Sequence, residues 1–467
     1  MLWIFDIETY VTFFSVTFKN VKSKELKVFV VFEDRNDIDA LHTFINDGTK
    51  WLVGYNSFNF DNQILNYIYK NHFELTMSST DIITKNIHVL AIDEIINGDF
   101  IEYRYNLPFQ GLDLMKIGFY RKSLKLIGVA LKWPKLQELP YPVDSKITSD
   151  QVDVILKYNL NDVLMTERLY YHLEDNIKLR FDIAKRYGVK VYTESDSGIA
   201  NRLLEKFHSE ATGLPISAFR GLRTNRKFIP FSQVVFDEIH FHTNTFDKLL
   251  EEVRDHNYYK DMPFFKKSIM FDGMKYKMGV GGLHSVDRGA IYKETEDSYL
   301  IDADIGSMYP ATLINNQLSP AHLGPKFLKN FTNLRDERLI AKKNKDMTPA
   351  EGLKIVLNSA IGKTLNEHHW LYDPIVNLRV TINGQLFLLM LIERLALSNF
   401  HAISANTDGV TVIVPKDRLD EYNTICKQWE HETRYDLEYV YYKLYARRDV
   451  NYLRRKLVNC WNILRAI

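Results

Sequence analysis

Hydrophobic positions change their period along this chain, and the changes predict strands and helices. Residues 2–5 are an apolar run that breaks at Asp6-Ile7-Glu8-Thr9. This predicts a buried strand with both acids on one face, because strand side chains alternate. Apolar runs at 26–32 and 51–55 predict further strands; Asn56-Ser57-Phe58-Asn59-Phe60-Asp61 follows and opens a helical run at 62–70. Residues 149–175 carry a long helical pattern with Tyr158 and Asp162 at i and i+4, on one face. Residues 180–210 read as helical until Thr212-Gly213-Leu214-Pro215, and 230–267 are aromatic-rich without a period. Residues 301–305 are an apolar strand interrupted by Asp302 and Asp304, followed by the turn Gly306-Ser307-Met308-Tyr309-Pro310. Residues 334–345 and 350–365 are helical around a polar turn at 344–349, which predicts an antiparallel helical hairpin. A strongly apolar helix spans 380–397, and strands at 401–406 and 410–414 meet at Asn406-Thr407-Asp408-Gly409, a hairpin signal.

Length and composition narrow this picture. The 467 residues suggest about two to four domains, and a hydrophobic share of 46% supplies their cores. A net charge of +1 does not decide for or against nucleic acid, but residues 220–227, 335–345 and 443–456 are locally basic. Two cysteines, Cys426 and Cys460, offer no disulfide framework and fit a reducing compartment. The apolar start breaks at Asp6 and Glu8, unlike a signal peptide or membrane span, so a cytoplasmic protein with no membrane partner is expected.

Three groups of residues carry candidate chemistry. Asp6 and Glu8, one pleat apart, can share a divalent cation, and Asp304 at a strand end beside a turn suits magnesium. Asp61 also reads as a helix N-cap, Tyr158 and Asp162 as a bonded pair, and Asp408 as the tip of a structural hairpin. Arg338 and Lys342 share one face of the first hairpin helix, and Lys354, Asn358 and Gly362 share one face of the second. Such faces commonly just meet water.

Taken in order, D-x-E, N-x-x-x-F-D and Y-x-x-x-D resemble the three exonuclease motifs of the proofreading domain of family B DNA polymerases. The resemblance implies an RNase H-like domain with Asp6, Glu8, Asp61 and Asp162 around two magnesium ions, Tyr158 orienting the attacking water, and Asn56 and Phe60 holding single-stranded DNA. Ser123-Leu124 matches a further single-strand-contacting motif. Asp304-Ile305-Gly306-Ser307-Met308-Tyr309-Pro310-Ala311 is similar to the family's first polymerase motif, which makes Asp304 a metal ligand and Tyr309 the gate against a ribose 2′-hydroxyl. Asp302 lies outside that motif and is expected to support Asp304.

Residues 354–362 resemble the fingers motif K-x-x-x-N-S-x-Y-G, with Ile361 for the tyrosine. The resemblance implies a dNTP clamp of Arg338, Lys342, Lys354 and Asn358. The hairpin resembles Y-x-D-T-D-S, with Asp408 as its second acid and Asn406 in place of the first. Gly281 and Gly282 match the Y-x-G-G region with Gly279 for tyrosine. Thr381, Gly384 and Gln385 match T-x-x-G-R with glutamine for arginine. Both imply DNA contacts, as does Tyr452, preferred over Lys443-Leu444-Tyr445 as the K-x-Y motif near the primer terminus.

The expected fold class is α/β and α+β multidomain. An RNase H-like exonuclease domain at 1–178 precedes a linker and N-terminal palm at 179–300, palm at 301–333, fingers at 334–366 and palm at 367–452. A short basic helical tail at 453–467 leaves little or no thumb, either because another polypeptide supplies it or because the gene product is truncated. The implied cofactors are two Mg2+ per site, with Mn2+ as the alternative. The implied partners are primer-template DNA, single-stranded DNA, dNTPs and replication accessory proteins. Fifty positions from Asp304 to Lys354 and fifty-four from Lys354 to Asp408 leave no room for the insertions of protein-primed phage polymerases. No terminal-protein priming and modest processivity are therefore expected of a compact, phage-like enzyme. The competing expectations are a 3′-5′ exonuclease with a decayed polymerase half and a non-enzymatic single-strand-binding scaffold.

Overall fold

The computed structural model describes residues 1–98, 102–118, 120–260, 262–286, 289–447 and 452–456, with residues 447 and 452–456 described by their backbone. The chain divides into two compact units, Met1–Ile199 and Ala200–Ile467.

The first unit is built on six strands: β1 (Leu2–Tyr10), β2 (Phe13–Asn20), β3 (Leu26–Phe32), β4 (Arg35–Asn36), β5 (Trp51–Gly54) and β6 (Gln110–Asp113). Their order is β4-β3-β2-β1-β5-β6, with β1 antiparallel to β2 and parallel to β5. The principal helices are α1 (Ile38–Ile45), α2 (Asp61–Lys70), α3 (Thr80–Val89), α4 (Leu124–Ala130), α5 (Ser149–His172) and α6 (Glu174–Tyr187). Trp3, Phe5 and Ile7 point into one core with Leu41, Ile64 and Ile87; Ile4 points into another with Val163 and Leu169. The sheet is thus covered on both faces, and Asp6 and Glu8 share the α5 side with Ile4. The strand carries both acids, as expected, and runs on to Tyr10, because β2 pairs with it along its length. The expected boundary at 178 falls inside α6. Its buried Arg180 donates to the carbonyls of Asn176 and Glu194 and to Asp196, which ties the helix into this unit.

A helix, α7 (Asp196–Thr212), leads into the second unit. There a two-stranded ribbon, β7 (Phe228–Pro230) and β8 (Asn257–Tyr259), flanks α8 (Asn244–Arg254), which occupies part of the stretch that had no readable period. The main sheet contains β9 (Lys267–Phe271), β10 (Met274–Met278), β11 (Leu283–Val286), β12 (Ala290–Lys293), β13 (Ser298–Ile305), β14 (Ala402–Thr407), β15 (Gly409–Pro415), β16 (Leu437–Arg447) and β17 (Tyr452–Lys456). Its order is β12-β16-β13-β15-β14-β11-β10-β9, and β17 pairs with β16. Residues 453–456 are therefore strand rather than the expected basic helix; 457–467 lie outside the described residues.

After β13 come α9 (Met308–Asn315), α10 (Gly324–Lys343), α11 (Met347–Lys363), α12 (Pro374–Leu397) and, after β15, α13 (Leu419–Thr433). The helical hairpin α10–α11 starts ten residues before the expected 334, with Pro325 in its first turn. Among the described residues α12 alone is long and apolar enough to cross a membrane, and 89% of its most apolar window is buried inside the protein. It is the central helix of the larger core, apolar on all sides because protein surrounds it.

Candidate active sites

In the first unit, β1 and α5 bring carboxylates together. One oxygen each from Asp6, Glu8 and Asp162 lies within 4.8 Å of the others, and no other such group of three occurs among the described residues. A capping box of Thr148 and Gln151 starts α5 and sets the phase that turns Tyr158, Asn159 and Asp162 inward. Asn159 Nδ2 donates to Asp6 Oδ2 at 3.0 Å. Tyr158 lies beside Asp162, and the Lys125 ammonium sits 5.6 Å from the Tyr158 ring centre.

Asp61 begins α2 and stands outside the trio, although its charge is felt by Asp6 and Glu8. Burial, followed by the neighbouring carboxylates, pushes Asp6 and Glu8 well above the ordinary range. Burial pushes Asp61 up to about 7. It pushes Asp162 up to about 6, with Tyr158 and Lys125 partly offsetting the rise. Acids held this close disfavour their own ionisation until a cation compensates them. Buried Asp162 Oδ1 and Asn159 Oδ1 also have no hydrogen-bond partner among the described residues. An all-oxygen set with spare lone pairs fits magnesium or manganese.

Asp113 is a buried acid with no visible motif. It caps the helix Leu114–Ile117 and accepts from the backbone N–H groups of Asn56 (3.0 Å) and Phe58 (3.4 Å). It therefore shapes the loop before Asp61. In that loop Asn56 has φ 58° and accepts from Asn59 Nδ2 at 2.6 Å. Phe60 is half-buried against the core, and Ser123 caps α4 with Leu124 half-buried behind it.

In the second unit, one cavity of about 880 Å3 gathers side chains from four distant stretches. Asp304, Ser307 and Tyr309 come from β13, the turn after it and the start of α9, Asn406 and Asp408 from the β14–β15 hairpin, Arg338, Lys342, Lys354 and Asn358 from α10 and α11, and Glu438 from β16. The hairpin is seated by the Ile305 N–H donating to the Asp408 carbonyl at 2.7 Å. Arg338 donates to Ser307 Oγ at 3.0 Å, and Lys342 reaches Glu438 at 3.2 Å, an acid without a motif to mark it. The Tyr309 hydroxyl donates to the Gly281 carbonyl at 3.1 Å; burial, with the Asp408 charge second, pushes it up to about 12. Asp304, Asp408 and the Asn406 amide oxygen are hard donors that fit magnesium.

Gly409 pairs directly with Asp304, and a Cβ there would overlap Asp304 Oδ1 and stand 3.0 Å from Cγ. Gly409→Ala should therefore displace the carboxylate and cut the activity of this site at least about tenfold. Melting should change little, because Asp304 is only partly buried and can swing outward. Steady-state rates and thermal melts of the variant check both points.

Several expected DNA contacts are not at a surface. Thr381 and Gln385 are buried in α12. Gln385 bonds the Gly279 N–H and carbonyl (both 3.0 Å), and Thr381 donates to the Asn377 carbonyl. A Cβ on Gly384 would press on Met308. These three hold the protein interior, and Gln385 acts on the glycine loop from behind. Gly281 is exposed, while Gly282 has φ +130° and packs against Thr407, so only the first of the pair faces solvent. Ile361 is buried, away from any stacking role. Asp302 is buried and accepts from Thr411 Oγ1 (2.7 Å) and Tyr442 (3.2 Å). Tyr445 is fully buried, and the Tyr452 side chain lies outside the described residues.

No family model matches the chain, and no curated protein matches it by sequence. Among solved structures, a family B DNA polymerase from the hyperthermophilic archaeon Pyrobaculum calidifontis superposes on 98% of this chain with a TM-score of 0.53 at 14% identity. The chain spans 59% of that protein's length. The fold is therefore that of a family B DNA polymerase over the shared part.

Proposed function

We propose that the chain is a template-directed DNA polymerase with a 3′-5′ exonuclease centre in its first unit. The observation that carries this is the 880 Å3 cavity, where Asp304 and Asp408, an aromatic floor and the cations Arg338, Lys342 and Lys354 from separate stretches meet, with Glu351 and Glu438 also in the wall, in a family B fold. A triphosphate carries nearly four negative charges, and Arg338, Lys342 and Lys354 on two facing helices suit it. The Arg338 Nε is buried without a partner among the described residues, so the guanidinium has bonding capacity to spare. Asp304 and Asp408 would hold magnesium, which when bound supplies charge neutralisation and a more acidic primer hydroxyl. The primer 3′-hydroxyl would give its proton to solvent and attack the α-phosphate in line, the bond to the β-phosphate breaking as pyrophosphate leaves; Tyr309 closes the floor beneath the sugar.

In the first unit Asp6, Glu8, Asp61 and Asp162 would hold the metals for hydrolysis, and Tyr158 would orient the water. The short motif spacing supports a compact, phage-type enzyme that extends an ordinary nucleic-acid primer with modest processivity.

Asn406 lines the cavity where the family has an acid, which favours a second reading: an exonuclease with a decayed polymerase half. One assay separates them. Purified protein is given a labelled primer-template and magnesium, with and without dNTPs. Extension supports the first reading, shortening alone supports the second, and an unchanged primer sinks both.

A further inference from the structure

The sheet that carries Asp304 does not stop at the cavity. Asp304 lies opposite Gly409, Gly409 opposite Asn406, Asn406 opposite His284, and His284 opposite Lys277. Residues opposite one another in a ladder share a sheet face, so these five form one row across β13, β15, β14, β11 and β10. The row begins at an acid of the cavity and ends at a cation.

Alternation fixes which way the outer strands face. In β10, Met274, Tyr276 and Met278 are buried in the core while Lys275 and Lys277 are exposed. In β11, Leu283 is buried and His284 exposed. Lys275 pairs with Met270 of β9, whose side chain is also exposed. Neither lysine has an ion-pair partner among the described residues. Two exposed ammonium groups two residues apart on one sheet face repel each other, weakly in salt, and an anion lying across them removes that repulsion. Strands are about 4.8 Å apart. His284 and Lys277 therefore sit roughly 14 and 19 Å from the Asp304 position, or about four to six base pairs along a duplex axis. The Gly279–Gly282 loop borders this face with the half-exposed Val280 as its one side chain beyond hydrogen, so a backbone can pass close to the sheet at Gly281.

We propose that the exposed face of β10 and β11 is a track for the sugar–phosphate backbone of the product duplex, with Lys275, Lys277 and His284 as phosphate contacts. It rests on the reading that the cavity extends a primer, and it assigns contacts which that reading does not include. Phosphate contacts set position and affinity without reading sequence.

The test measures binding of a fluorescein-labelled primer-template by anisotropy in EDTA, over a salt series, together with extension kinetics. Wild type is compared with Lys275→Ala/Lys277→Ala, Lys277→Arg and the distant Lys427→Ala. Far-UV spectra and melts confirm that each is folded. For the double alanine variant, duplex Kd should rise at least about tenfold near 0.1 M salt, and the log–log salt slope should shrink by about two. KM for primer-template should rise with kcat unchanged. Lys277→Arg should keep the wild-type slope, and Lys427→Ala should resemble wild type. Unchanged affinity and slope in the double variant, an equal loss in Lys427→Ala, or a fall in kcat alone would each overturn the track while leaving the polymerase reading intact. Wild-type protein that neither binds nor extends the duplex removes the polymerase reading, and the track with it.

Discussion

Asp304→Asn is expected to lower primer extension by about 10²–10³-fold or more and to leave primer shortening unchanged. The Asp304 backbone is held between Gly409 and Glu438 in the sheet, and asparagine has the same shape as aspartate, so the substitution should leave the local fold in place. What it loses is a full negative charge in a cavity where Asn406 offers only a neutral amide and Asp408 is the acid of the hairpin. An amide holds a divalent cation far less well than a carboxylate. The first unit has its own sheet, its own two cores and its own acids, so nothing in its chemistry depends on Asp304. Gel assays of extension and of shortening on one primer, with both rates from the same preparation, check the separation. Equal loss of both activities would mean one centre rather than two. Asp302→Asn is the contrasting variant: it removes the charge that accepts from Thr411 and Tyr442, so its effect belongs in the melting temperature.

How far the sequence could be read differed between the two kinds of site residue. The acids were legible because chemistry demands carboxylates at fixed phases: Asp6 and Glu8 on a strand, Tyr158 and Asp162 one helical turn apart, and Asp408 at a D-G hairpin. The supporting residues were not. Asp113, Asn159 and Glu438 act through three-dimensional neighbours and carry no local pattern. Thr381, Gly384 and Gln385 sit in a matching motif, yet α12 is enclosed by the core and turns them inward. The strand β2 escaped because almost all its side chains are buried, which erases the period-two signal. The start of α12 is marked by Asp373-Pro374, a proline at the first helical position, six residues ahead of the apolar run that predicts the helix. The elements β14, β15, α10 and α11 differ from expectation only at their ends, whereas β9, β10, β12, β16 and α13 carry no signal that predicted them.

Asp6→Asn should abolish shortening, on the order of 10³-fold, while making the metal-free protein more stable at pH 8. The second half follows from the sign of the pKa shifts. Asp6, Glu8, Asp61 and Asp162 all have folded-state values above the ordinary carboxylate range, with Asp61 at about 7 and Asp162 at about 6. The folded state therefore binds these protons more tightly than the unfolded chain does. The stability that Asp61 and Asp162 contribute is complete below about pH 4 and is lost as pH rises through 6 to 7, and the shares of Asp6 and Glu8 are lost in the same direction. At pH 8 the metal-free site holds crowded carboxylates close to one another, and replacing one by an amide relieves the repulsion by roughly 1–3 kcal/mol. The gain of Asp6→Asn over wild type should shrink toward zero near pH 5, where the acids are already protonated. Magnesium reverses the ranking. It should raise the wild-type melting temperature at pH 8, because a ligand that binds only the folded state stabilises it, and should do little for Asp6→Asn. Calorimetry of both proteins at pH 5 and pH 8, with EDTA or magnesium, reads all four comparisons. A variant less stable than wild type in EDTA at pH 8 would mean that Asp6 is a structural anchor bonded to Asn159 rather than one of a set of acids awaiting a cation.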